Sequence, residues 1–380
     1  MKICILNVLH GPFDKRMYHK VGRSLMKDGH LVVSICPEGE FDGDQRDGIH
    51  FRYIPAAKSK FQRILAALRL VRAGRVEEAD CYIAPEPESW VAALIIKWIH
   101  GGHVVFDMHE YFPTEFAKFF PERMQLLMTS VARITMRYLS RHTDLIILTR
   151  ESFESMWEGL PAPRAIVINA NHLQDRCTEI PEDVRAIVGD GPAVIHQGEF
   201  GEIRGAWQLL DAMKIVARQV PGVRCILLGD YVTGSFRKYR RAIRKAGLET
   251  TFVFPETVPY EAVPAYIAAA DVGLILFQPG LVNHTFAMPH KLFDYMREGK
   301  PVIAPDFSIE VANILDGAEA GVLVEVTDPK AIARAIVELL THPELAARLG
   351  ENGRRAVEER YNWEREEAKL LAAIDSLRDT

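Results

Sequence analysis

Short apolar runs alternate with stretches of helical periodicity almost from end to end of this chain, and the alternation starts afresh once. In the first half the apolar runs are 2–8, 31–35, 80–83, 103–107, 144–148 and 165–168. Between them lie helix-period stretches such as 17–28, 60–73, 89–100 and 122–141. Strand, helix, strand in that rhythm predicts right-handed crossovers and a parallel sheet whose strands are covered on both faces. After Asn169-Ala170-Asn171 comes a polar stretch with Pro181, Gly189, Gly191 and Pro192, which reads as a linker. A second series follows at 193–196, 223–228, 251–254, 271–276, 301–303 and 321–324, and residues 343–378 read as helical throughout. The fold class expected is α/β, two Rossmann-like doubly wound domains over 1–172 and 190–360. A chain of 380 residues also exceeds what one core usually supports. Ligands of such sheets bind at the carboxyl ends of their strands, so a site is expected where the two sets of strand tips face each other.

Composition excludes several function classes. With 48% apolar and 26% charged residues the chain is ordinary for a soluble protein. The net charge of −5 resides in the second half, whereas a nucleic-acid binder would carry a strongly basic face. The cysteines Cys4, Cys36, Cys81, Cys177 and Cys225 lack metal-ligand spacing and are expected as free thiols, four of them in or beside strands, in a reducing cytoplasm. Lys2-Ile3-Cys4-Ile5-Leu6 enters a strand directly, so no signal peptide is expected, and no run of 18 apolar residues would span a membrane.

The richest segment is 283–305, NHTFAMPHKLFDYMREGKPVIAP. A polar loop with Pro279 and Gly280 leads to Pro289, which suits the first turn of a helix, and Gly299 suits its end. Lys291 and Asp294, three apart, share a face near that helix's start. Backbone N–H groups there suit an anionic sugar-phosphate, and a carboxylate can take both hydroxyls of a ribose. The plainer alternative is an amphipathic helix whose Asp and Lys face water. A second segment, His196-Gln197-Gly198-Glu199-Phe200-Gly201-Glu202-Ile203-Arg204-Gly205, is a glycine-rich strand-to-helix turn; backbone there approaches a phosphate and Arg204 adds a charged contact.

The stretch 289–303 resembles the donor-site signature of glycosyltransferase family 4, "P-x-K-L-F-E-Y-M-x-x-G-K-P-V-I", with Asp294 at the position of the family's Glu. The resemblance implies that Asp294 binds the nucleotide ribose. A second family Glu, eight positions earlier, contacts the transferred sugar; here Phe286 stands there, and Asn283, His284 and Lys291 are the candidates to replace it. The 196–205 turn is similar to the family's "G-R-x-x-x-x-K-G" diphosphate segment, with Arg204 at the Lys position and Glu199 where the family has Arg, so Glu199 faces away or meets a sugar hydroxyl. Gly198 and Gly229, the latter in Leu227-Leu228-Gly229-Asp230, match glycines near the phosphates, and Val258 lies in a stretch, 252–259, whose backbone would meet the base.

In the first domain, Leu9-His10-Gly11-Pro12-Phe13-Asp14-Lys15-Arg16 follows the first strand, and Gly11 is the candidate for close backbone approach to the sugar-phosphate. His109, in the strand-tip cluster Asp107-Met108-His109-Glu110, corresponds by resemblance to a His that contacts the transferred sugar. Glu86 or Glu88, in Pro85-Glu86-Pro87-Glu88, is positioned for acceptor hydroxyls, although Glu88 equally suits the start of the next helix. Residues 58–75 read as a basic amphipathic helix that either packs on the core with a solvated cationic face or meets an anionic membrane, and 122–141 would fit the same face.

The resemblance thus implies a GT-B fold with 361–380 crossing back onto the first domain. It implies a nucleotide diphosphate sugar as donor and a glycan or lipid-linked acceptor in bacterial surface polysaccharide or glycoconjugate assembly. Retention of configuration is implied too, with His109, Arg204 and Lys291 as the catalytic set and no metal or other cofactor required. The expected location is the cytoplasm, at the inner face of the cell membrane where 58–75 touches it. A sugar-nucleotide epimerase of the same fold and a non-catalytic sugar-nucleotide-binding subunit remain the alternatives.

Overall fold

The computed structural model describes residues 1–379 except 40, 58, 158–161, 256 and 257. Lys58 of the expected basic helix, and Glu256 and Thr257 of the expected base-binding stretch, therefore lie outside the described residues. The chain separates into two compact units, Met1–Asn169 together with Glu364–Thr380, and Ala170–Trp363.

The first unit is built on β1 (Lys2–Leu6), β2 (Leu31–Pro37), β3 (Gln45–Arg46), β4 (Ile49–Ile54), β5 (Cys81–Ala84), β6 (His103–Met108), β7 (Leu145–Leu148) and β8 (Arg164–Ile166). They form one sheet in the order β3-β4-β2-β1-β5-β6-β7-β8, parallel except where β3 runs against β4. Its helices are α1 (Arg23–Lys27), α2 (Lys60–Glu77), α3 (Pro87–His100), α4 (Phe112–Ala117) and α5 (Glu122–Ser140). The central strands are buried residue after residue because helices cover both faces. Trp90 of α3, wholly buried, stacks on Phe106 of β6 at 4.0 Å between ring centroids. Strand β4 is absent from the apolar runs above because its buried residues, Ile49, Phe51 and Ile54, are interrupted by His50, Arg52 and Tyr53.

The second unit carries β9 (Ala193–Gln197), β10 (Phe200–Gly201), β11 (Arg224–Leu228), β12 (Tyr231–Thr233), β13 (Phe252–Val253), β14 (Val272–Leu274), β15 (Val302–Pro305) and β16 (Gly321–Val324). The main sheet runs β13-β11-β9-β14-β15-β16, all parallel, while β10 and β12 form a separate pair. The helices are α6 (Glu182–Val188), α7 (Ala206–Gln219), α8 (Phe236–Lys245), α9 (Val263–Ala269), α10 (Val282–Thr285), α11 (His290–Arg297), α12 (Ile309–Ala318), α13 (Pro329–Thr341), α14 (Pro343–Glu359) and α15 (Trp363–Asp375). From Glu364 onward α15 belongs to the first unit, where Glu366 accepts the Ile168 N–H at 2.8 Å.

Two expectations are corrected. The stretch read as a linker folds, since Glu182–Val188 is helical, and Val184 and Val188 are buried. The stretch 343–378 is two helices, interrupted at Arg360–Asn362, where the Asn362 amide turns back onto the Val357 and Glu358 carbonyls. All five cysteines are free, Cys177 alone being partly exposed. No helix among the described residues is long and apolar enough to cross a membrane.

Each main sheet has a point where the chain reverses its direction of winding. In the first unit this lies between β1 and β5, so residues 7–16 and 85–88 emerge side by side. In the second it lies between β9 and β14, bringing out residues 198–204 and 275–285.

Candidate functional site

At the second unit's switch point two cations meet an aromatic face. The Arg204 guanidinium lies 5.7 Å and the Lys291 ammonium 5.9 Å from the centroid of the Phe277 ring. Lys291 is buried and hydrogen-bonds to His196 Nε2 at 3.1 Å. Burial, and then the Lys291 charge, holds the His196 imidazole well below its usual pKa, and its Nε2 lies 3.1 Å from the Glu199 carbonyl as well. Glu199, largely exposed, pairs with Arg204 at 2.7 Å. The acid that stands where the resembling family carries Arg is thus an ion-pair partner of Arg204. Burial lowers the Arg204 pKa and Glu199 partly restores it. Gly198 carries φ +86° and donates its N–H to the Leu228 carbonyl, and a Cβ on it would stand 3.7 Å from Lys291 Nζ. Gly229 has φ +140°, and a Cβ there would lie 2.5 Å from the Gly198 carbonyl oxygen. These two glycines therefore let the strand-tip loops touch.

Helix α11 begins at His290 with Pro289 as its N-cap, and Gly299, at φ +68°, follows its end. Every residue from Lys291 to Arg297 is buried, which removes the picture of a helix whose Asp and Lys face water. Asp294 is fully buried. Its carboxylate accepts from the Asn171 amide at 2.7 Å and the Tyr260 hydroxyl at 3.3 Å, and pairs with Arg297 at 3.3 Å. Arg297 also pairs with Glu298 at 3.2 Å and reaches the His172 carbonyl. Burial disfavours the Arg297 charge, but the Asp294 charge and the acids around it outweigh that and raise its pKa. Asp294 is thus the hub of a polar network beneath the strand tips.

The neighbouring candidates divide. His284 is buried, with its Nδ1 2.8 Å from the Gln278 carbonyl and its ring stacked on Phe277 at 4.8 Å, so it supports the aromatic platform. Asn283 is half-buried on α10, and Phe286 caps that helix. Val258 is half-buried, two residues before Tyr260.

In the first unit the loop after β1 carries His10, Gly11, Asp14 and Arg16. Gly11 is exposed, and nothing lies within 4 Å of where its Cβ would stand. Arg16 is buried and grips both oxygens of the buried Asp107 at 2.8 Å each, with Asn169 at 2.7 Å. Glu86, expected at the acceptor, is instead buried: its oxygens accept from the Val8 and Leu9 N–H groups and the Ser89 hydroxyl, capping α3. A buried carboxylate beside three donors near the start of a helix is drawn to them and away from solvent. Glu88 pairs with Arg63 at 2.7 Å. His109 packs edge-on to His10 with ring centroids 5.1 Å apart, and burial, then the His10 charge, pushes its pKa down to about 4.

Burial alone would depress His10, but its hydrogen bond to Asp14 at 3.0 Å, with the charges of Asp14, Glu86 and Glu110, raises its pKa to about 9. Near neutral pH the pair is therefore an imidazolium beside a neutral imidazole. Because the folded pKa lies above the ordinary 6.5, this contribution to stability is complete below pH 6.5 and is lost as pH rises through about 9. Thermal unfolding midpoints of His10→Gln are expected to converge on those of the parent between pH 7 and 10; a constant gap would contradict the pairing.

His10, Asn171, His196, Tyr260, Phe277 and Arg297 went unselected in the sequence. Two had a local signal: His10 stands four residues before Asp14 in a strand-tip loop, and Arg297 three after Asp294 on one helix. The partners of Asn171, His196 and Tyr260 lie 34 to 123 residues away.

Residues 180–356 match the family described as Glycosyl transferases group 1. Over 278 residues the chain is 26% identical to a GDP-mannose-dependent alpha-(1-6)-phosphatidylinositol monomannoside mannosyltransferase of Mycolicibacterium smegmatis, covering 66% of this chain and 67% of that one. It is 24% identical over 267 residues to the putative glycosyltransferase EpsD of Bacillus subtilis, 67% of this chain and 65% of the relative. Among solved structures, sucrose-phosphate synthase from Thermosynechococcus elongatus superposes with a TM-score of 0.77 over 100% of both chains at 19% identity. Anabaena HepE in complex with UDP-glucose gives 0.76 at 17% identity, over 99% of this chain and 100% of that one.

Proposed function

We propose, on the premise that this chain belongs through residues 180–356 to the glycosyl transferases group 1 family, that it moves a sugar from a nucleoside diphosphate to a glycan or lipid-carried acceptor with retention of configuration. The chain is a glycosyltransferase of GT-B fold. The observation that carries the donor reading is the convergence of Arg204 and Lys291 on Phe277 at the switch point of the second unit, with Glu199 paired to Arg204 alone of the two. Two cations converging on one aromatic face favour a ligand that is itself anionic, and a diphosphate supplies that charge. As the glycosidic bond breaks, negative charge grows on the departing diphosphate, and preorganised cations stabilise it without a required metal ion.

The ribose is assigned to the Asp294 hub and the base to the stretch ending at Val258. For the transferred sugar, His109 and the His10–Gly11 loop of the first unit are the contacts we assign, with the acceptor on that same unit. A mannosyltransferase that uses GDP-mannose and a relative crystallised with UDP-glucose make guanosine and uridine diphosphate sugars the first donors to try. Bacterial surface polysaccharide or glycolipid assembly at the inner membrane face is the setting this reading implies.

A thermal-shift screen against UDP, GDP, dTDP and ADP tests the donor assignment. One nucleotide is expected to raise the melting temperature, and Arg204→Ala to weaken it by about 10- to 100-fold, the worth of a charge-assisted hydrogen bond of about 1.5–3 kcal/mol. No shift with any of them would refute a nucleotide site, and an isomerised donor in the absence of acceptor would indicate an epimerase.

A further inference from the structure

We propose that the groove enclosed by α2, α3, α4 and α5 holds the hydrocarbon chain of a lipid-carried acceptor, an inference that rests on the acceptor reading above. Helix α5 is the anomaly that leads there. It has 19 residues, among them Leu126, Leu127, Val131, Ile134 and Leu139, yet only Met136 and Ser140 are buried. A helix in a globular protein normally turns its apolar stripe to the core. Here Leu127, Ile134 and Tyr138 share one face and stand 59%, 68% and 55% exposed. Across the groove, α2 offers Ile64 and Leu68 at 60% and 59% exposure.

The same helices, with α3 and α4, bound a groove of about 450 Å³, lined chiefly by Ile64, Trp90, Val91, Phe116, Val131 and Leu139. That volume falls in the range of small-ligand sites, about 300–1,000 Å³. The charged side chains on its wall are already matched: Arg63 pairs with Glu88, and Glu115 with Lys118. The groove therefore asks a ligand for apolar contact and little else. Charge adjoins the groove without lining it: Met136 is shared with a neighbouring pocket that Arg133 and Arg137 line beside Met108 and Tyr111. An apolar slot next to a guanidinium-lined pocket complements a long chain with an anionic head.

A second copy of this protein is a poor occupant. Self-pairing of the α5 face would set its arginines against their own images, and like charges across an interface are costly. A flat bilayer would cover the exposed faces but leave the groove unfilled. A single hydrocarbon chain drawn out of the bilayer fills it.

Dodecyl phosphate below its micellar concentration is the probe, with inorganic phosphate as the head-only control. Calorimetry on the full chain is expected to show one equivalent of dodecyl phosphate bound and no response to phosphate. The groove-filling variants Val91→Trp and Ala132→Phe, which reach in from different helices, should each weaken binding at least tenfold. On the unaltered chain, 12-bromododecyl phosphate should quench tryptophan emission, and Trp90→Phe should remove most of that quenching. Absence of binding, unweakened binding by folded filler variants, quenching that survives Trp90→Phe, or a dimer dissociated by Ile134→Asp would each overturn the proposal. Nucleotide shifts on the same samples separate the two readings. Alkyl phosphate binding without any nucleotide response would sink the transferase assignment and leave the groove standing, whereas the reverse would sink the groove alone.

Discussion

Replacing Arg297 by alanine is expected to lower the unfolding free energy by about 4 kcal/mol, because it strands buried carboxylates without a counter-charge. Arg297 is 2% exposed and lies 3.3 Å from Asp294 and 3.2 Å from Glu298, themselves 0% and 8% exposed. Glu298 also accepts from the Cys177 N–H at 3.2 Å, and its pKa is raised, with burial outweighing the Arg297 charge. Without the guanidinium the acids must take up protons or solvent, and both disturb α11. Urea unfolding at pH 7 measures the loss. The deficit should shrink as pH falls and the carboxylates protonate. A loss under 1 kcal/mol would mean that the cluster is far better hydrated than its burial implies. Arg297→Lys keeps the charge but not the planar fork, and should fall between the two.

Lys291→Ala is expected to reduce kcat by about 10²- to 10³-fold while leaving KM for the donor within a few-fold, the loss typical of removing one preorganised group that meets developing negative charge. The geometry behind this is the approach of the Lys291 ammonium to Phe277 and His196, beside the loop of Gly198. Removal also relieves the depression of the His196 pKa that follows from the Lys291 charge, burial remaining the larger cause. Steady-state rates with the nucleotide sugar selected by the thermal-shift screen decide the matter. A change confined to KM would make Lys291 a ground-state binder and shift the catalytic assignment to Arg204. The two predictions bear on different properties of one helix: the Arg297 variant tests what holds α11 in place, and the Lys291 variant tests what the helix contributes to turnover.

The contrast between these residues shows what is legible in a linear chain. Pro289 and Gly299 announced the ends of α11 because start and stop signals are local backbone chemistry, satisfied within a turn or two. The identity of α11 as a wholly buried helix was not announced. Its Lys, Asp and Arg look solvent-facing until the elements that cover them are known. Likewise Glu199, expected to face away or to meet a sugar hydroxyl, stands 2.7 Å from Arg204. Glu86 looked like a ligand for sugar and proved to be a cap for α3 and an anchor for the loop after β1.

Sequence alone determined the two parallel sheets, their winding, and hence the strand tips at which chemistry could occur, because apolar periodicity and turn residues act over a few positions and survive any later packing. Tertiary structure decided which polar groups meet there: the Asp294–Asn171–Tyr260–Arg297 hub, the cations over Phe277, the His10–His109 pair, and the bare face of α5. Apart from Asp294 and Arg297, three positions apart on one helix, most such pairings join residues tens to about a hundred positions apart or more, and their energies depend on burial and on distances of a few ångströms. Neither quantity exists until the chain has closed upon itself.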